Sequence, residues 1–214
     1  MSEHLAITIG RQYGSGGREI GVRLGELLGI KVYDKELITL AAEKKGVPAD
    51  YLHKVDEKAT NSLLYSIAIG TSLHRNPHLG VEMPINDRLF MMQTEIIKEA
   101  VQEAPGIFVG RCADYILRRH KKRLSIFIHA DFDHRVSRIA EEYSISRKEA
   151  EAKVNKTDKH RVNYYNFYTG KKWGKVDNYH VSVNSSILGI EGTAQMLAEM
   201  IRIFSRQNDE NGEN

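Results

Sequence analysis

The stretch LAITIGRQYGSGGRE, Leu5 to Glu19, decides how this chain is read. Leu5, Ala6, Ile7 and Ile9, broken only by Thr8, form the short apolar run of a buried parallel strand. Gly14, Gly16 and Gly17 follow around Ser15. A helical pattern then opens with Ile20, Leu24, Leu27 and Leu28 at spacings of three and four. Strand, glycine loop and helix in that order make a phosphate-binding geometry. Glycine admits backbone angles that other residues resist, and it lets a polyanion touch successive N–H groups at a helix N-terminus.

The loop departs from the common G-x-x-x-x-G-K-[ST] pattern, in which the Lys reaches the β- and γ-phosphates and the hydroxyl holds magnesium. With Gly16 as the second Gly, Arg11 stands at the first, Gly17 at the Lys and Arg18 at the Ser/Thr. The backbone cradle is kept while the usual cation and hydroxyl are not. Arg18 and Arg11 are the candidates to supply the charge, and Ser15 is the nearest hydroxyl. A dinucleotide fingerprint, G-x-G-x-x-G, is the second reading: Gly14 and Gly16 fit, and Asp34 lies about 20 residues on, where a ribose-binding acid belongs. Glu19 fills its third glycine position, and the loop from Gly10 to Gly14 is longer than that tight turn.

At 214 residues, 41% hydrophobic and 28% charged, the chain suits one α/β domain with an insertion. A net charge of +3 suits a phosphorylated ligand without requiring nucleic acid. The single cysteine, Cys112, excludes an internal disulfide and points to a reducing compartment. No apolar run approaches the roughly 18 residues of a membrane span, and the first strand begins almost at once, so a cytoplasmic protein is expected.

Ile30 to Tyr33 reads as a second strand ending at Asp34. A helix is expected from about Lys35 to Lys45 and another from Pro48, with a weakly patterned insertion from Asp56 to Asp87. Asn86 or Asp87 then caps an amphipathic helix closed by Pro105-Gly106. Ile107 to Val109 is a third strand with Gly110-Arg111-Cys112 at its C-terminal end, where open α/β sheets bind ligands. The basic run Arg118 to Arg123 reads as a solvated helix end, and Leu124 to Ala130 is a fourth strand. Arg135 and Arg138 lie on the helix after it, either solvated or facing a ligand.

Ser146 and Glu149 fit a capping box at the start of a long helix. Its apolar stripe runs through Ala150, Val154, Tyr165 and Tyr168, yet Asp158 and Arg161 occupy intervening stripe positions. Charges on a face that should be buried cost stability unless they pair or meet a ligand, which makes this the second candidate site. Tyr164, Tyr165, Tyr168 and Trp173 either pack this helix or stack on a base. His180 to Asn184 is a fifth strand and a last helix carries Ile190 to Phe204. The nine histidines are scattered, so no protein-built transition-metal site is expected.

Taken together, GSGGREIG, LGIKVYDKELI, VGRCADYIL, SIFIHADFDHRVSRI and Asp158-x-x-Arg161 with Tyr164-Tyr165 resemble the cytidylate-kinase-like branch of the P-loop nucleoside monophosphate kinases, over about residues 5–203. The resemblance implies a P-loop NTPase three-layer fold: a five-stranded parallel sheet between helices, a helical insertion and a lid. It implies one kinase domain over 1–206, with an inserted acceptor or cap region at about 35–88 and the lid at about 131–175, followed by a disordered tail over 207–214. It also implies ATP-dependent phosphoryl transfer with Mg2+ to a cytidylate-like nucleoside monophosphate or similar small acceptor. By position, Arg11, Gly14, Ser15, Gly16, Gly17 and Arg18 are assigned to ATP, and Arg18, Arg135 and Arg138 to catalysis. Asp34, Arg111, Asp158 and Arg161 are assigned to the acceptor. Gly17, Cys112 and Leu40 depart from the family's Lys, Asp and Arg. The alternative is a degenerate kinase that binds nucleotide as a sensor or partner-binding module without turnover. The expected partner is a small-molecule nucleotide, with no nucleic acid and no membrane; assembly into a homo-oligomer stays open.

Overall fold

The computed structural model describes residues 3–34 and 85–210. The expected helices from Lys35 and Pro48, nearly all of the insertion, and Leu40 lie outside the described residues. In chain order the elements are β1 (Ala6–Arg11), α1 (Gly17–Leu28), β2 (Lys31–Tyr33), α2 (Ile85–Glu103), β3 (Gly106–Val109), α3 (Ala113–Ile116), β4 (Arg123–His129), α4 (Phe132–Tyr143), α5 (Arg147–Thr169), a 3-10 turn (Val176–Asn178), β5 (Val181–Asn184) and α6 (Gly189–Glu210). The α6 helix runs past Gln207 through Glu210, into the segment expected to be disordered. After Gly192 no Gly or Pro occurs before Gly212, so nothing in the local sequence stops the helix at Gln207.

The strands form one parallel sheet in the order β2-β3-β1-β4-β5. Central β1 is covered on both faces, and Ala6, Ile7, Thr8 and Ile9 are all buried. Ile7 and Ile9 face Ile20 and Leu24 of α1 and Leu197 and Ile201 of α6. Ala6 and Phe108 face the other way, against Ile97 and Val101 of α2 and Ile116 of α3. This is the three-layer arrangement expected from the continuous apolar strands, each fully buried Ile contributing about 1.5–3 kcal/mol.

Two features of the fold position the site. First, β1 and β3 are neighbours, so their C-terminal loops lie side by side, tied by the Gly110 N–H donating to the Ile9 carbonyl at 2.9 Å. Second, α4 and α5 pair through their own small core of Val136, Ile139, Ala150 and Val154, against which Tyr13 of the loop packs. The predicted capping box starts α5: Ser146 accepts from the Glu149 N–H while the Glu149 carboxylate accepts from the Ser146 N–H. The helix pair thereby overhangs the C-terminal edge of the sheet.

Candidate active site

The glycine loop is shaped by backbone. Gly14 and Gly16 have φ of 80° and 71°, and Gly16 caps α1 with no side-chain hydrogen bond to the helix end. Space forbids other residues as firmly as conformation does. A Cβ on Gly14 would lie 2.8 Å from the Arg135 carbonyl oxygen, and one on Gly16 would lie 2.9 Å from Ile190 Cγ1. The helix N-terminus opens on a cavity of about 370 Å³ lined by Arg11, Gly16, Gly17, Arg18, Asp34 and Arg138 among others. Among the described residues four arginines and three carboxylates line it, with Arg161 and Glu142 facing it from α5 and α4.

Ser15 does not offer its hydroxyl to this cavity. It is buried, and its Oγ donates to the Gln12 carbonyl at 2.8 Å, with the Ile128 carbonyl at 3.3 Å. Ser185, which the sequence did not single out, donates its hydroxyl to the Ser15 carbonyl at 2.7 Å and steadies the loop from β5. Arg18 reaches Asp34 with Nη2 and Nε at 2.8 and 3.0 Å from Oδ2, and Arg138 pairs with Glu19 at 2.9 Å.

Asp158 and Arg135 were expected to face ligand; the structure joins them to each other. Arg135 Nη1 lies 2.6 Å from Asp158 Oδ2 and also meets the Tyr13 carbonyl at 3.2 Å, while Nε donates to the Ala130 carbonyl. Asp158 Oδ1 accepts the Tyr13 N–H at 2.8 Å. Neither residue lines either cavity described here. A buried charge needs a partner and further hydrogen bonds, and here the two satisfy each other while gripping the loop at Tyr13. The stripe position of Asp158 therefore reflects a clamp between α5 and the loop.

Arg161 is placed differently. Its Nη1 donates to the Arg11 carbonyl at 2.8 Å, and it lines both the loop cavity and a second cavity of about 340 Å³. Burial pulls its guanidinium below its ordinary pKa, opposed by Asp158, yet an arginine remains charged at any physiological pH.

The second cavity lies between the β3 end and α5. Arg111, Asp114, His160, Tyr164, Tyr165 and Trp173 are among its walls. Gly110, Arg111 and Cys112 all have positive φ, at 80°, 54° and 55°. For the two non-glycine residues this stores strain of order 1–3 kcal/mol each, which the surrounding structure must hold. Cys112 is buried, and burial pushes its thiol far above its ordinary pKa, so it is a neutral packed group rather than a nucleophile. Asp114 was missed: it is buried, and its Oδ2 accepts the Tyr165 hydroxyl at 2.7 Å. Burial raises its carboxyl pKa, against the Tyr165 hydrogen bond and the nearby Arg123 charge. An acid one turn after a strand-end glycine was the available signal. Among the described residues three arginines and one carboxylate line this cavity, a balance suited to an anion.

The aromatic residues divide. Tyr168 stacks on Phe90 at 4.1 Å and donates to Asp87, so it packs α5 against α2. Tyr164, Tyr165 and Trp173 line the cavity, where they leave apolar surface next to the charged turn. Among the described residues no three His, Cys, Asp or Glu side chains are grouped to hold a metal, and no helix is long and apolar enough to cross a membrane.

Comparisons with known proteins follow the same lines. No curated protein sequence matches the chain. An uncharacterized protein from Eubacterium ventriosum shares 26% identity and a TM-score of 0.67, over 93% of this chain and 99% of that one. Shikimate kinase from Bacteroides thetaiotaomicron shares 11% identity and a TM-score of 0.54, over 92% and 98%. Shikimate kinase from Acinetobacter baumannii, in complex with shikimate, shares 13% identity and a TM-score of 0.51, over 92% and 93%. At such identities the two shikimate kinases share the P-loop kinase fold with this chain. The sequence profile of the cytidylate kinase-like family matches residues 6–187, most of the chain, and the protein belongs to that family.

Proposed function

We propose that the protein transfers a phosphoryl group from ATP to a nucleoside monophosphate, cytidylate-like, or a similar small acceptor. The observation that carries this reading is the meeting of the two cavities: one opens at the glycine loop, the other lies under α5, and among the described residues they share Arg11 and Arg161. Phosphoryl transfer requires two ligands held in line and charge neutralised between them, with little covalent help from the protein.

The backbone of Gly14, Ser15, Gly16 and Gly17 cradles the ATP phosphates in this reading. Arg18 and Arg138 flank them, and Asp34 orients Arg18 through their ion pair. Arg111 and Arg161 receive the acceptor phosphate, and Tyr164, Tyr165 and Trp173 take its apolar ring. Arg135 and Asp158 act at one remove, fixing Tyr13. Mg2+, when bound with ATP, would supply charge neutralisation on the phosphates; Arg18 stands at the usual hydroxyl position and the Ser15 hydroxyl is engaged inward, so neither would hold it. Gly17 at the loop Lys position favours the second reading, nucleotide binding without turnover.

ADP release with ATP, Mg2+ and a panel of CMP, dCMP, UMP, AMP and GMP separates the two. Acceptor-dependent release is expected. ATP binding without release for any phosphorylated acceptor would overturn transfer in favour of the sensor reading.

A further inference from the structure

The loop Lys is missing because its place is taken. A Cβ on Gly17 would lie 2.5 Å from Arg11 Cβ and 3.0 Å from its Cγ, so the Arg11 stem runs through the room that a side chain at 17 would claim. At the other end, a Cβ on Gly110 would collide with Arg11 Nη1 and lie 2.9 Å from its Cζ. The Arg11 side chain therefore passes from the end of β1 over the first residue of α1 to the end of β3. The absent side chain at Gly17 is space that the Arg11 stem occupies, while Gly110, whose φ of 80° calls for glycine in any case, leaves room for the guanidinium. Its guanidinium arrives where the loop cavity and the second cavity adjoin, and it lines both. The Arg161 hydrogen bond to the Arg11 carbonyl fixes the backbone from which it starts.

We infer that Arg11 is the catalytic cation at this junction, reaching the transferred phosphoryl group from β1 in place of a Lys on α1, and that Gly17 is the condition for it. The inference deepens the phosphoryl-transfer reading and rests on it. In transfer to a phosphate acceptor, an acceptor oxygen forms a bond to the γ-phosphorus, the bond from the γ-phosphorus to the bridging oxygen breaks, and ADP departs. The charge passing through the equatorial and bridging oxygens is met by a planar guanidinium, which offers several N–H donors and reaches two phosphate groups at once. Arg18 fits the role less well. Its side chain is 57% exposed, and it lines the loop cavity without reaching the second one.

An exchange of the two positions tests this. In a protein whose fold is checked by circular dichroism and melting, Arg11→Gly should lower turnover about a hundredfold, and Arg18→Ala at least tenfold less severely. Gly17→Lys alone should also lower turnover, because it drives into the Arg11 stem. Arg11→Gly combined with Gly17→Lys restores the first Gly and the Lys of the common loop pattern, with Arg18 still at its Ser/Thr position, and should recover at least tenfold over Arg11→Gly. A milder probe covers failure to fold: Gly17→Ala should lower turnover in the wild type and have no effect in the Arg11→Gly background. Arg11→Gly within threefold of wild type, a combination no better than Arg11→Gly, or Gly17→Lys that raises activity would each overturn the inference. If the wild type binds ATP without turning over, the transfer reading fails, and Arg11 is judged on calorimetric affinity for tripolyphosphate. A drop of about tenfold in Arg11→Gly then upholds its contact with phosphates, and an unchanged affinity overturns it. Wild type that binds neither ATP nor tripolyphosphate overturns both.

Discussion

The loop cavity and the cavity under α5 adjoin, yet they are made of different material. The first owes its shape to backbone, with charged side chains set around it. Its shape comes from positive φ at Gly14 and Gly16, from Ser15 and Ser185 bonding inward, and from carbonyl and side-chain atoms packed so near that no Cβ fits. The second is a side-chain object, with Arg111 on a strained turn after β3, Asp114 held by Tyr165, and Trp173 brought in by the segment before β5. The lesson is in what each tolerates. Backbone N–H groups recognise any phosphate chain and are insensitive to most side-chain exchanges, whereas side-chain walls choose one acceptor and change with a single substitution.

Damage to the backbone cavity is expected to be largest. Gly14→Ala places a Cβ against the Arg135 carbonyl at positive φ, and about a hundredfold loss of ATP affinity is expected by calorimetry, equivalent to about 2.7 kcal/mol. Wild-type affinity in that variant would break the contrast, since the cradle would not depend on its backbone.

Next comes the clamp on which both cavities depend. Asp158→Asn keeps the acceptor for the Tyr13 N–H and removes the charge facing Arg135, whose side chain is 8% exposed against 17% for Asp158. A destabilisation of about 2–3 kcal/mol in urea unfolding is expected, below the range for a fully buried pair because Asp158 is partly solvated. Loss of ATP affinity alone, without loss of stability, would instead mark Asp158 as a ligand group.

The smallest effect concerns Asp114, confined to the side-chain cavity. Its folded pKa is raised above the ordinary value near 3.8, chiefly by burial, so the native state binds the proton more tightly than the unfolded chain does. Its stabilising contribution is therefore fully present below about pH 3.8 and is lost as pH rises through the raised folded value. Asp114→Asn should flatten that part of the stability–pH curve and leave ATP affinity unchanged. A curve identical to wild type would mean that the carboxyl titrates as a solvated one.

This difference in construction also explains what could be read in advance. Strand, loop and helix are contiguous from Leu5 to Leu28, and their order, glycine spacing and apolar run encode the cradle locally. The parallel sheet followed from continuous apolar strands separated by helices. Asp158 and Arg161 stood out because charges interrupted an apolar stripe, but the pattern could not say which charge pairs within the protein and which lines a cavity. The distinction depends on Tyr13 and Arg135, 145 and 23 residues from Asp158, and arises only when α4 and α5 fold against the loop. Asp114 escaped notice because its Tyr165 partner is 51 residues away. The course of Arg11 was likewise invisible, since nothing in the order of residues tells that its stem passes Gly17 and its guanidinium ends beside Gly110.

The measurement that bears most directly on the two-cavity arrangement is a calorimetric titration of CMP into protein saturated with a non-hydrolysable ATP analogue and Mg2+. Expected is one CMP per chain bound without release of the analogue, as two ligands occupying adjoining cavities require. Displacement of the analogue by CMP, or CMP binding only when the analogue is absent, would contradict it, because the two cavities would then be one site for one ligand.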